Sequence, residues 1–110
     1  MSAGRYDLII EQGTTFRRVI KLKQPDGTLV NLQDWQARGQ IRATVDAATS
    51  LAFTCAVNEG TSEITISLTA VQTAAMAPGR HVYDLEVVDI SGNILRLMKG
   101  ILKVDPEVTR

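Results

Sequence analysis

The stretch from residue 63 to residue 104 most constrains what this chain can fold into. Apolar and polar residues alternate through Ile64, Ile66 and Leu68, and again through His81, Tyr83, Leu85 and Val87. A period of two marks strands with one face against a core. Between them, residues 69–76 are predicted to form a short helical corner. Thr69 has Gln72 three positions on, the spacing of a capping box. Pro78 and Gly79 then stop the helix and turn the chain. A turn at Ser91-Gly92-Asn93 leads into a last strand over residues 94–104. Keeping Val87 and Leu97 on one face requires a loop with an odd number of residues, because a slip by one reverses every face. Three residues, with Asn93 left-handed, would pair Ile90 with Ile94 and Val87 with Leu97. Leu95 and Leu97 differ in parity from Leu102 and Val104, so an extra residue must be absorbed between them. Gly100 is the expected bulge.

The rest of the chain repeats the pattern. Tyr6, Leu8 and Ile10 alternate in a first strand that ends before Gly13. Residues 16–23 read as a second strand with Phe16, Ile20 and Leu22 inward, and Arg18, of the same parity, at the rim or turned out by a local irregularity. Pro25-Asp26-Gly27 is a turn, and residues 29–32 are expected to form a short third strand. Residues 33–36 form a loop or a single helical turn. Residues 39–46 form a strand with Ile41, Ala43 and Val45 on one face. Leu51, Phe53, Cys55 and Val57 alternate, and residues 58–62 turn the chain into the Ile64 strand. Pro106 takes the tail out of the sheet. About eight short strands with turn signals between them indicate an all-β, two-layer antiparallel sandwich. At 110 residues it is expected to be a single domain over residues 1–110.

Chemistry is sparse. Lys plus Arg and Asp plus Glu are 12 each, so no global field draws the protein to nucleic acid or an anionic membrane. No apolar run approaches the ~18–20 residues that span a bilayer. Residues 1–7 lack the basic-then-apolar pattern of a signal peptide, which implies folding in a cytoplasm. Cys55 shares a face with Phe53 and Val57 and reads as a small buried hydrophobe rather than a reactive thiol. A single His, His81, with a single Cys offers neither a zinc-ligand spacing nor a hydrolytic triad. Asp84 and Glu86 share a strand face. Such a pair can bind Ca²⁺ or do acid–base work, but Arg96 is expected beside Glu86 across the hairpin as an exposed ion pair. No catalytic residue, cofactor or metal is therefore expected. Arg17, Arg18, Lys21 and Lys23 form a small basic group. Aromatics are only 5% of the chain, so no stacking platform for nucleic acid accompanies it. An acidic partner or solvent is the expected neighbour. Trp35 is either a core plug or an interface anchor.

The Ile64–Leu68 strand, helical corner and Gly79-Arg-His81-Val-Tyr83 are similar to the E–F corner and F strand of immunoglobulin-like sandwiches. Where many of those carry tyrosine this chain has His81, and the disulfide cysteines are absent. The whole chain resembles small Ig-like virion proteins of tailed bacteriophages, in particular the N-terminal domain of upper baseplate proteins that attach receptor-binding proteins. The matching stretches are Gln12-Gly-Thr-Thr-Phe16, Asp26-Gly27, Gln40-Ile-Arg42, Gly79-Arg-His-Val-Tyr-Asp-Leu85, Arg96-Leu-Met-Lys-Gly100 and Val108-Thr-Arg110. The resemblance implies a non-enzymatic virion subunit of the baseplate, tail-fibre attachment or neck, assembled in the host cytoplasm. Its partners would be other virion proteins and symmetric copies of itself. A capsid decoration protein and a carbohydrate-binding module are the alternatives. Contacts are expected from exposed edge strands and from both terminal segments, through Tyr6, Arg17, Lys21, Lys23, Trp35, Pro106, Val108 and Arg110.

Overall fold

The computed structural model describes residues 4–109, so expectations for residues 1–3 and Arg110 lie outside the described residues. The strands are β1 (Gly4–Arg5), β2 (Leu8–Glu11), β3 (Phe16–Lys21), β4 (Gln36–Arg42), β5 (Leu51–Ala52), β6 (Thr54–Asn58), β7 (Glu63–Leu68), β8 (Gly79–Val88) and β9 (Ile94–Asp105). Helix α1 (Ala70–Ala74) separates β7 from β8. The larger sheet has the order β1-β9-β8-β4-β5, with β2 also on β9, and the smaller has the order β3-β7-β6. This is the all-β, Ig-like sandwich with one helical corner. It is not wholly antiparallel. β1 and β2 run parallel to β9, with Leu8 opposite Leu102 and Ile10 opposite Val104. Tight turns impose antiparallel direction only on strands adjacent in sequence, and no turn joins these.

Both sheets direct their apolar parity inward. Ile64, Ile66, Leu68, Tyr83, Leu85, Val87, Leu102 and Val104 are all buried. The rings of Phe16, Phe53 and Tyr83 link the layers at centroid separations of 6.1 and 6.2 Å. The alternating run from Leu51 to Val57 is split, because the chain changes sheets at Phe53. β5 pairs with β4, and β6 pairs with β7. The Phe53 N–H donates to the Gly39 carbonyl at 3.0 Å. A Cβ at Gly39 would stand 2.9 Å from both the Phe53 ring and the Asp84 carbonyl, so the crossing needs glycine.

The corner forms as its sequence directs. The Thr69 hydroxyl accepts from Gln72 N at 3.1 Å, and Gln72 Oε1 accepts from Thr69 N at 2.8 Å. Gly79 turns the chain at φ 112°, a region costly for any residue with a Cβ.

Several local expectations are corrected. The β8–β9 loop is displaced by one residue. Val88 pairs with Ile94 and Val87 with Leu95. Gly92, at φ 85°, takes the left-handed position instead of Asn93. Asp89 holds this loop from inside, its Oδ1 accepting from Ser91 N and Asn93 N at 2.9 Å each. The extra residue is Leu97, not Gly100, since Glu86 faces Arg96 while Leu85 faces Met98. Leu97 and Met98 are consequently both buried. Residues 29–32 form no strand. Lys23 and Leu29 make an isolated bridge, and Leu32 is a fully buried plug. β3 ends at Lys21 because the chain then turns into that bridge. β4 begins at Gln36 and ends at Arg42, leaving Ala43 and Val45 exposed. There Arg42 Nη1 donates to Ala47 O at 2.7 Å and folds the following segment back. The first strand is interrupted at Tyr6 and Asp7, and Tyr6 is exposed rather than inward. The Asp7 carboxylate accepts from Ile101 N at 3.0 Å, in place of a backbone carbonyl.

Candidate functional site

Four of the residues expected at an interface come together on one side of the sandwich. β3 pairs only with β7, and β2 only with β9, among the described strands. The sandwich is therefore open between β2 and β3. The seam there is lined by Tyr6, Leu8, Ile20, Leu97 and Met98, with Arg18, Lys21 and Lys23 along its β3 side. Arg17 lies farther along the same seam with Ile9 and Phe16. Arg18 has the parity of Phe16 and Ile20 but is exposed at the rim. Its guanidinium lies 5.6 Å from the Phe16 ring centroid, a cation–π contact that keeps the charge in solvent while covering the core. Among the described residues none of the four cations forms an ion pair, although Lys21 is in register with Glu63.

The other expected contacts do not line this seam. Trp35 is half-buried against the core, and its backbone N–H donates to Leu32 O at 3.0 Å. Pro106 and Val108 follow β9 and are exposed. Between them Glu107 is tied to the chain's own body, its N–H donating to Gln12 Oε1 at 2.9 Å. Gln12 Nε2 donates to Met76 O at 3.0 Å, so one side chain joins the tail to the helical corner. Thr73, fully buried, completes the tie. Its hydroxyl donates to Thr14 O at 2.7 Å and accepts from Gly13 N at 3.1 Å. Sequence reasoning missed this hub. Its one visible signal was a threonine on the inner side of a very short helix.

The isolated chemical groups are occupied. Cys55 is half-buried, in register with Ile66, and burial pushes its thiol pKa up. His81 Nε2 and Ala77 O are 2.7 Å apart, bracing the Pro78-Gly79 turn. Arg38 Nε donates to Glu86 Oε1 at 3.0 Å, and Arg96 reaches Asp84 at 3.5 Å and Glu86 at 3.9 Å. The carboxylate pair is thus engaged by two arginines. Among the described residues no three His, Cys, Asp or Glu side chains converge as a metal site, and no helix is long and apolar enough to cross a membrane.

Tyr83 carries the largest electrostatic perturbation. Its hydroxyl donates to Tyr6 O at 2.5 Å. Burial first, then the negative charge of Asp7, pushes its pKa up to about 12. The folded state therefore holds this proton more tightly than the unfolded chain. Its contribution to stability is complete below pH 10.0 and is lost as pH rises towards about 12. Tyr83→Phe is expected to lower stability at neutral pH by about 1–3 kcal/mol, because the Tyr6 carbonyl loses its donor. The same change should flatten the alkaline loss. Urea midpoints of both proteins across that pH range check it, and an unchanged alkaline slope would assign the loss to other groups.

No protein-family model matches this sequence, and no curated protein does. Among solved structures, an internalin-like protein of Listeria monocytogenes is similar over 94% of this chain at 20% identity, with a TM-score of 0.47. This chain spans 28% of that protein's length. AggA, the major subunit of aggregative adherence fimbriae type I from Escherichia coli, is similar over 90% of this chain and 89% of its own, at 10% identity and a TM-score of 0.46. At these values neither neighbour says what this chain binds.

Proposed function

We propose that this protein is a non-enzymatic structural subunit of a tailed-phage particle. It would join or decorate components of the baseplate, tail-fibre attachment or neck through protein–protein contacts. The observation that carries this reading is the series of short stretches, from Gln12-Gly-Thr-Thr-Phe16 to Arg96-Leu-Met-Lys-Gly100, that resemble small Ig-like virion proteins in order along the chain. Those stretches supply framework parts. Gln12, Gly13 and Thr14 tie the corner and tail together. Phe16 and Tyr83 pack with Phe53 between the sheets. A rigid sandwich with open edges suits repeated weak contacts, which many symmetric copies multiply into firm attachment. A carbohydrate-binding role is less well served, because Trp35 packs against the core and leaves Tyr6 as the exposed aromatic. The test is to purify particles from an infected or induced host on a density gradient and quantify this chain by mass spectrometry. Co-migration at a fixed whole-number ratio to other virion proteins is expected. Its absence from washed, infectious particles would overturn the proposal.

A further inference from the structure

We infer that the open edge of β3 is a docking site for an extended, acidic segment of another protein, which adds to the smaller sheet as a fourth strand. The inference rests on reading the chain as an assembly module and names the surface and partner chemistry such a module would use. The backbone fixes the geometry. Leu22 N donates to Ser62 O at 2.9 Å, and β3 pairs with β7 from Phe16–Leu68 to Lys21–Glu63. In an antiparallel ladder the bonding direction alternates residue by residue. The N–H and C=O groups of Arg17, Val19 and Lys21 consequently point away from β7, towards the open side. An edge with free donors and acceptors is a template for strand addition.

Charge selects the occupant. On the outer face, Arg17 and Lys21 flank Val19, and Arg18 and Lys23 add two further cations along the seam. A second copy pairing edge to edge about Val19 would set Arg17 against Lys21 twice, and like charges directly opposite one another are unfavourable. An incoming strand with acidic residues at alternate positions would instead pair with both cations. Its intervening side chains would point inward, where Ile20, Leu8 and Met98 offer an apolar floor. The site thus specifies alternating acidic and aliphatic residues.

The test uses the full chain and two synthetic nine-residue peptides, one alternating Glu with Val and one alternating Lys with Val. Binding is followed by fluorescence anisotropy, and backbone amide exchange locates it. The Glu peptide is expected to bind and to slow exchange at Arg17, Val19 and Lys21. The Lys peptide is expected to bind at least about tenfold more weakly. Val19→Pro removes an outward N–H without touching the ladder to β7, so the fold should persist while Glu-peptide binding falls by about tenfold or more. Arg17→Glu with Lys21→Glu should reverse the peptide preference. Equal affinity for the two peptides, undiminished binding to folded Val19→Pro, or no binding at millimolar peptide would overturn the inference. The cations would then serve to guard the edge. The two proposals fail separately. Peptide binding by a protein missing from purified particles sinks the virion reading alone, and a particle protein that ignores the peptide sinks the docking edge alone.

Discussion

Replacing Gly100 by alanine is expected to destabilise the protein by about 3–5 kcal/mol, through overpacking against backbone and the loss of several hydrogen bonds. A Cβ at this position would overlap the Tyr6 carbonyl oxygen and stand 2.8 Å from its carbon and 2.9 Å from Asp7 Oδ1. The obstruction is mainly backbone, which cannot swing aside as a side chain can. Three interactions hold that backbone in place. Tyr6 N donates to Lys99 O at 2.9 Å, the Tyr83 hydroxyl donates to Tyr6 O, and Ile101 N donates to Asp7 Oδ1 at 3.0 Å. Relief of the clash must break some of these and lift the junction of β1 and β2 off β9. Urea denaturation gives the size of the effect, and amide exchange at Leu8 and Ile10 reports whether β2 has detached. A change smaller than about 0.5 kcal/mol, the range of ordinary surface substitutions, would show that the two segments are not in close contact.

The second large effect is expected at Thr73. Thr73→Val keeps the shape and removes the hydroxyl. Gly13 N–H and the Thr14 carbonyl then lose their partner at a partly buried position, at a cost of about 2–4 kcal/mol for the pair. Thr73→Ser restores the hydroxyl and should recover most of that loss. The helical corner cannot compensate on its own. α1 has only five residues, far short of the length at which a helix is stable in isolation. Its position depends on Thr73 and on Gln12 bonding to Met76 O. A fully stable Thr73→Val protein would mean that this contact is dispensable.

The features that were legible in the sequence are those set by side-chain period and local capping. β7, the capping box at Thr69 and Gln72, and the inward set Tyr83, Leu85 and Val87 follow from alternation and spacing alone. Arg96 was expected near Glu86 on one face, and the shifted register sets the two directly opposite. Much of what could not be read is decided by residues far apart in sequence. Alternation from Leu51 to Val57 is the same whether a strand stays in one sheet or changes sheets at Phe53, so only the bond to Gly39 reveals the crossing. Gly100 looked like a bulge because glycine in a strand fits either a bulge or a close backbone approach. The approaching chain, Tyr6, is more than ninety positions away. The bulge went to Leu97, whose side chain gains burial by it. Val45 continued the pattern of Ile41 and Ala43, but the Arg42–Ala47 bond ends the strand first. Of the expected surface residues, the basic group was legible as a cluster. That Tyr6 would join it across the seam required knowing that β2 and β3 lie in different sheets.

The parallel pairing of β2 with β9 also determines how this protein would carry a mechanical load. Leu8 faces Leu102 and Glu11 faces Asp105, so the leading end of β2 and the trailing end of β9 lie at opposite ends of their shared ladder. Tension entering the chain ahead of Leu8 and leaving it after Asp105 runs along that ladder. It strains the cross-strand bonds in shear, so that they must yield together. An antiparallel pair would place both points of attachment at one end and would peel apart one bond at a time. Resistance to a pull is governed by the barrier to unfolding rather than by equilibrium stability. In that direction the β2–β9 ladder is loaded in shear rather than peeled from one end.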